Sequence, residues 1–133
     1  MVAIEKRRVL AVDDDVELLE LVITLLKRVN IETIGVENAI QAAQALRQPP
    51  LPDLLILDLM LPDISGIDFL KQMRSKTIFD SLPVLVLSAM AEPQEIRAAL
   101  DAGADRYLTK PYLANNLLSV VQEMLRTGRR VRG

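Results

Sequence analysis

The sequence predicts a single α/β domain: a parallel sheet with helices on both faces. Three short apolar runs carry this reading, and each ends in polar residues. Val9-Leu10-Ala11-Val12 runs into Asp13-Asp14-Asp15, Leu54-Leu55-Ile56-Leu57 into Asp58, and Val84-Leu85-Val86-Leu87 into Ser88. Runs this short, apolar without alternation, are strands buried on both faces, as in a parallel sheet. Stretches with helical spacing separate them, and that alternation implies right-handed crossovers. A chain of 133 residues suits one domain of ordinary size.

Each element has its own signal. After the first strand, Leu18, Val22, Leu25, Leu26 and Val29 form a stripe at helical spacing, with Asp15 as N-cap. Ile31 to Val36 is β-branched with Glu32 and Thr33 interleaved, which predicts an edge strand. Asn38 with Gln41 has the form of a capping box ahead of Ile40, Ala43 and Leu46, and Ser65 with Asp68 repeats it ahead of Leu70 and Met73. Pro93 suits the first turn of a helix through Ile96, Ala99 and Leu100, and Gly103 suits its stop. Arg106-Tyr107-Leu108-Thr109 is a weaker fifth strand, and Leu117, Val121, Met124 and Leu125 stripe a last helix. The organisation is thus one domain over 1–126, with a basic tail or linker start over 127–133.

Composition narrows the chemistry. There is no Cys, which fits a reducing compartment and removes disulfides and thiolates. There is no His, which removes the commonest general base and zinc ligand. Reactions must therefore run on Asp, Glu, Ser, Thr, Lys or Tyr. A formal charge of −2 gives no broad basic face for nucleic acid or membrane. No segment approaches the ~18 apolar residues of a span, and the N-terminus lacks a signal-peptide pattern, so a cytoplasmic location is expected.

In such a sheet, ligands bind at the carboxyl ends of the strands. Asp13 and Asp14 follow strand one, Asp58 strand three, Ser88 strand four and Lys110 strand five. Taken singly, each has an ordinary explanation: an Asp after a strand is usually a helix cap, a Ser a turn residue, a Lys before Pro a solvated charge. Their joint occurrence at four strand ends argues for a site. Clustered carboxylates repel one another and need a cation to ionise together. Oxygen ligands alone suit Mg²⁺, or Mn²⁺. Lys110 can neutralise phosphoryl oxygens, Ser88 can donate to another, and the middle carboxylate can attack phosphorus. Phosphoryl transfer asks mainly for such positioning and charge neutralisation.

With VLAVDDD, LLILDLMLPDISG, LPVLVLSAM and AGADRYLTKPY in this order, the chain resembles the receiver domains of two-component response regulators, the CheY-like group, over about residues 7 to 126. The resemblance implies a doubly wound, flavodoxin-like (βα)5 fold with strand order 2-1-3-4-5. It implies that Asp58 accepts the phosphoryl group. Asp14 would be the direct Mg²⁺ ligand, Asp13 an acid acting through water, and the Met60 backbone carbonyl a further ligand. Ser88 stands at the switch Ser/Thr position, beside the small Ala89. Tyr107 stands at the aromatic switch position; an edge-strand aromatic is often half-buried packing, but its distance to Lys110 matches the family and favours the switch role. Lys110 matches the family lysine, and the bond to Pro111 would be cis. Pro62 and Gly66 would shape the loop after Asp58, and Met60 and Met90 are by default packing residues.

The implied partners are a histidine kinase or phosphotransfer protein and an output domain or partner protein. Direct nucleic-acid or membrane binding by this domain is not expected. A phosphorylation-dependent homodimer is compatible, but Arg106 and the helix start Leu113-Ala114-Asn115-Asn116-Leu117 depart from the charged pattern of the transcription-factor subfamily. The resemblance implies a signalling domain, not an enzyme. Three other readings compete. A pseudo-receiver would lack the acids that are present here. A haloacid-dehalogenase-type phosphatase fits Asp13-x-Asp15, but leaves Asp58 unexplained and needs an acidic pair after the lysine. A flavodoxin-like cofactor binder would place Ser, Thr and Gly, not three Asp, after strand one.

Overall fold

The computed structural model describes residues 6–112 and 114–129. Five strands alternate with helices: β1 (Arg7–Val12), α1 (Val16–Lys27), β2 (Ile31–Val36), α2 (Ala39–Leu46), β3 (Leu54–Leu57), α3 (Gly66–Arg74), β4 (Val84–Ser88), α4 (Pro93–Ala102), β5 (Arg106–Thr109) and α5 (Ala114–Thr127). A 3₁₀ turn at Thr77–Phe79 precedes β4. All strand pairs are parallel, in the order β2-β1-β3-β4-β5. That is the order the resemblance implied. No helix among the described residues is long and apolar enough to cross a membrane.

The non-alternating runs are explained by two cores. Successive strand side chains point to opposite faces. Val9, Ala11, Leu54, Ile56, Leu85 and Leu87 pack under α1 and α5, against residues such as Leu26 and Val121. Leu10, Val12, Leu55, Leu57, Val84 and Val86 face the other way, onto α2, α3 and α4, meeting Ala42, Leu70 and Ala99. Both faces are covered along Val9–Val12, Leu54–Leu57 and Val84–Leu87, so each position of these runs is apolar. β2 and β5 are the edges, and their burial is incomplete.

Most caps behave as the sequence predicts. Asp15 accepts from the Leu18 N–H at 3.2 Å and Asn38 from the Gln41 N–H at 2.8 Å. The Gln41 side chain reaches back to the Glu37 N–H, one residue earlier than a capping box requires. Ser65 caps the Asp68 N–H at 3.1 Å. Pro93 opens α4, and Gly103 closes it at φ 119°.

Two apolar stripes differ from expectation. In α1 the buried row is Leu19, Val22, Leu25 and Leu26, while Leu18 is half-buried and Val29 lies beyond the helix end. In α2 the sheet-facing row is Ala39, Ala42 and Leu46, and Ile40 is 64% exposed. Small alanines allow α2 to approach the sheet closely, and the larger Ile40 then falls on the solvent side. Of the basic tail, Thr127 completes α5 and Gly128 and Arg129 are described; residues 130–133 lie outside the described residues.

Candidate acidic site at the carboxyl ends of the strands

β1 and β3 are adjacent, with Val12 opposite Leu57, so the residues that follow them emerge side by side. The ladder continues past each strand end. The Asp58 N–H donates to the Val12 carbonyl and the Asp13 N–H to the Val36 carbonyl, each at 3.0 Å. Both acids are thereby fixed by backbone before any side-chain contact forms. One carboxylate oxygen each from Asp13, Asp14 and Asp58 lie within 4.8 Å of one another. Asp13 and Asp58 are buried and Asp14 is exposed.

Lys110 reaches this cluster from β5. Its N–H donates to the Ser88 carbonyl at 2.8 Å, and the Lys110–Pro111 peptide bond is cis. Its Nζ donates to Asp13 Oδ2 at 2.7 Å and to Asp58 Oδ2 at 3.0 Å. The other oxygens are held by backbone: Asp13 Oδ1 accepts from the Asp15 N–H at 2.9 Å, and Asp58 Oδ1 from the Met60 N–H at 3.1 Å.

The electrostatics follow from burial and pairing. Burial pushes the Asp58 carboxyl up, and the negative charge of Asp13 adds to this; the Met60 N–H and Lys110 offset only part of the rise. Burial alone would weaken the Lys110 ammonium, but its bonds to Asp13 and Asp58 outweigh that and raise it. The pair thus has one cation shared by two acids, with Asp14 open to solvent beside them. Three oxygen donors with one exposed, and no His or Cys anywhere in the chain, fit a hard divalent cation such as Mg²⁺ or Mn²⁺ that keeps several waters.

Ser88 and Tyr107 meet on the backbone of one residue, Met90. Ser88 is fully buried, and its Oγ accepts from the Met90 N–H at 3.3 Å. The half-buried Tyr107 donates its hydroxyl to the Met90 carbonyl. Burial raises the Tyr107 hydroxyl, so it stays a donor at neutral pH. Ala89, next to Ser88, is exposed, and the Met60 side chain is 59% exposed rather than packed. Pro62 is exposed on the loop after Asp58, and the Gly66 N–H closes that loop on the Leu59 carbonyl at 2.8 Å. A Cβ on Gly66 would stand 2.5 Å from the Asp58 carbonyl oxygen, so only glycine fits there.

Two arrangements escaped sequence reasoning. Asp63 accepts from the Ala39 and Ile40 N–H groups at 3.0 and 2.9 Å, capping α2 from a loop 24 residues away. Arg74 donates to the Gly103 and Phe79 carbonyls and to Asp105. No local pattern marks either one, because the partners are joined only by the fold.

Comparison with known proteins agrees with this geometry. A family model described as the response regulator receiver domain matches residues 9–122. The phosphate regulon transcriptional regulatory protein PhoB of Escherichia coli is 33% identical over 120 residues, which cover 90% of this chain and 52% of PhoB. The DNA-binding response regulator MtrA of Mycobacterium tuberculosis is 34% identical over 121 residues, covering 91% of this chain and 51% of MtrA. The chain therefore spans about half the length of the curated relatives it matches. Among solved structures, the receiver domain of Francisella response regulator 1452 superposes with a TM-score of 0.83 at 28% identity, covering 90% of this chain and 97% of that one. A two-component response regulator from Clostridium difficile gives 0.84 at 26% identity, covering 91% and 97%. The strand order, the acids at adjacent strand ends and these matches together place the chain in the response-regulator receiver domain family of two-component systems.

Proposed function

We propose that this domain accepts a phosphoryl group on Asp58 and thereby switches the surface formed by α4, β5 and α5. The observation that carries the reading is the Lys110 bridge: one ammonium 2.7 Å from Asp13 and 3.0 Å from Asp58, within a three-carboxylate cluster. The donor would be a phosphohistidine on a histidine kinase or phosphotransfer protein. An Asp58 oxygen attacks phosphorus, a P–O bond forms, the P–N bond breaks, and the leaving imidazole takes a proton from solvent. Mg²⁺ held by Asp13, Asp14, Asp58 and the Met60 carbonyl would neutralise phosphoryl charge.

The chain's own residues do the rest. Lys110 turns from its two acids to a phosphoryl oxygen as a point charge. Ser88 exchanges the Met90 N–H for another phosphoryl oxygen, to which its hydroxyl donates. Ala89 offers no bulk against the group. Because Ser88 holds the N–H of Met90 and Tyr107 its carbonyl, a move by Ser88 alters the residue Tyr107 rests on, which biases two existing states of that surface. An output domain or partner protein would read the surface. A phosphorylation-dependent homodimer is one form that readout takes.

Beryllofluoride, a phosphoryl mimic, tests the reading. It should bind in a Mg²⁺-dependent manner, Asp58→Asn should abolish binding while keeping the fold, and amide shifts should extend to residues 88–112. An adduct that forms on Asp58→Asn, or shifts confined to the Asp58 loop, would overturn it.

A further inference from the structure

The edge strand β5 is anchored by charge at both ends, and the second anchor involves the chain leaving α5. β5 is four residues long, pairs on one side only, and none of its residues is fully buried. β3 and β4 are buried throughout. β5 is therefore held less by packing than its neighbours, and its end contacts count for more.

At the end near the acidic site, Lys110 is bound to Asp13 and Asp58. At the opposite end, the Asp105 N–H donates to the Val84 carbonyl at 2.9 Å. The Asp105 carboxylate accepts from the Val84 N–H at 2.9 Å and from Arg74 at 3.2 Å. Its remaining oxygen accepts from Arg129 Nε at 3.1 Å, and Arg129 also donates to the Asp80 carbonyl at 2.9 Å. Arg129 reaches this corner because Gly128, at φ 67°, turns the chain after α5, a backbone conformation that favours glycine. The segment after α5 is thus fastened to the base of β4 and β5, on the order of 15 Å along the sheet from Lys110.

We propose that the Arg129–Asp105 clasp is energetically coupled to the acidic site through β5, so that loading Asp58 loosens the chain leaving α5. This rests on the phosphoryl-acceptor reading above. When Lys110 turns to a group on Asp58, it draws the C-terminal end of β5 with it. The clasp at the other end resists that displacement. Loading and clasp then oppose each other, and the coupling is reciprocal by linkage.

The test uses the full chain. Arg129→Gln should tighten Mg²⁺-dependent beryllofluoride binding about three- to tenfold, and Arg129→Lys, which keeps the charge but loses one bond, should lie between. Reciprocally, beryllofluoride should speed solvent exchange of the Arg129 Nε–H in the parent by a similar factor, and not in Asp58→Asn. Should the adduct form with unchanged affinity in Arg129→Gln and unchanged Arg129 exchange, the coupling is overturned while the acceptor reading stands. Failure of the parent to form any adduct overturns both.

Discussion

Lys110 donates to Asp13 at 2.7 Å across 97 positions of sequence, and the same ammonium holds Asp58 at 3.0 Å. Removing that ammonium leaves two buried acids facing each other. Lys110→Met should lower stability at neutral pH by roughly 3–5 kcal/mol in the absence of Mg²⁺, the usual cost of leaving buried charge unpaired. Added Mg²⁺ should recover part of the loss. A urea series with and without Mg²⁺ checks this; equal midpoints for parent and variant would reject it. The pH dependence has a definite sign. Lys110 is raised in the fold, so its contribution is complete below the unfolded value of 10.5 and disappears as pH rises through the folded value. Asp58 is also raised, and its burial favours the fold most at low pH and less as pH climbs from 3.8 through the folded value.

Asp63 gives the opposite pH sign. Its carboxylate is held below the usual range, chiefly by the Ala39 N–H, with help from Ile40 and Ile64. Its stabilisation is present above pH 3.8 and is lost as pH falls through the lower folded value. Asp63→Ala should lower the urea midpoint at pH 7, Asp63→Asn should lower it less, and parent and variants should converge in strong acid. A gap that persists unchanged in acid would show that the charge is not what caps α2.

Gly66 fixes the loop that carries Asp58. Gly66→Ala should cost about 1–3 kcal/mol, because its Cβ meets backbone at Asp58 and Leu59 rather than a flexible side-chain tip. The amide shift of Asp58 should move in the folded variant. A variant as stable as the parent, with unmoved Asp58 and Leu59 resonances, would contradict the contact.

Met60 follows Asp58 by two residues and Met90 follows Ser88 by two, Met60 largely exposed and Met90 partly buried. A thioether is a weak acceptor with no proton to give, so neither orients an attacking water well. Met60→Asn with Met90→Lys should speed loss of a phosphoryl group from Asp58 by roughly tenfold, equivalent to ~1–2 kcal/mol. Hydrolysis measured at fixed Mg²⁺ decides this, and rates within about twofold of the parent would count against it.

The sequence by itself determined the sheet and the rim. Runs such as Leu54-Leu55-Ile56-Leu57, too short for a helix and without alternation, read as strands covered on both faces, and each ends in the polar residue that a parallel sheet delivers to its carboxyl edge. Caps at Asp15, Asn38 and Ser65 were legible because their partners lie three residues away. Tertiary structure decided what depends on approach between distant segments. Ile40 faces solvent because Ala39 and Ala42 set how closely α2 meets the sheet. Asp63 caps that helix across a loop, and Arg129 meets Asp105 through the turn at Gly128. Spacing encodes local geometry through the helical and strand periods. A charge that finds its partner 24 positions away leaves no period behind, so only the packed molecule reveals it.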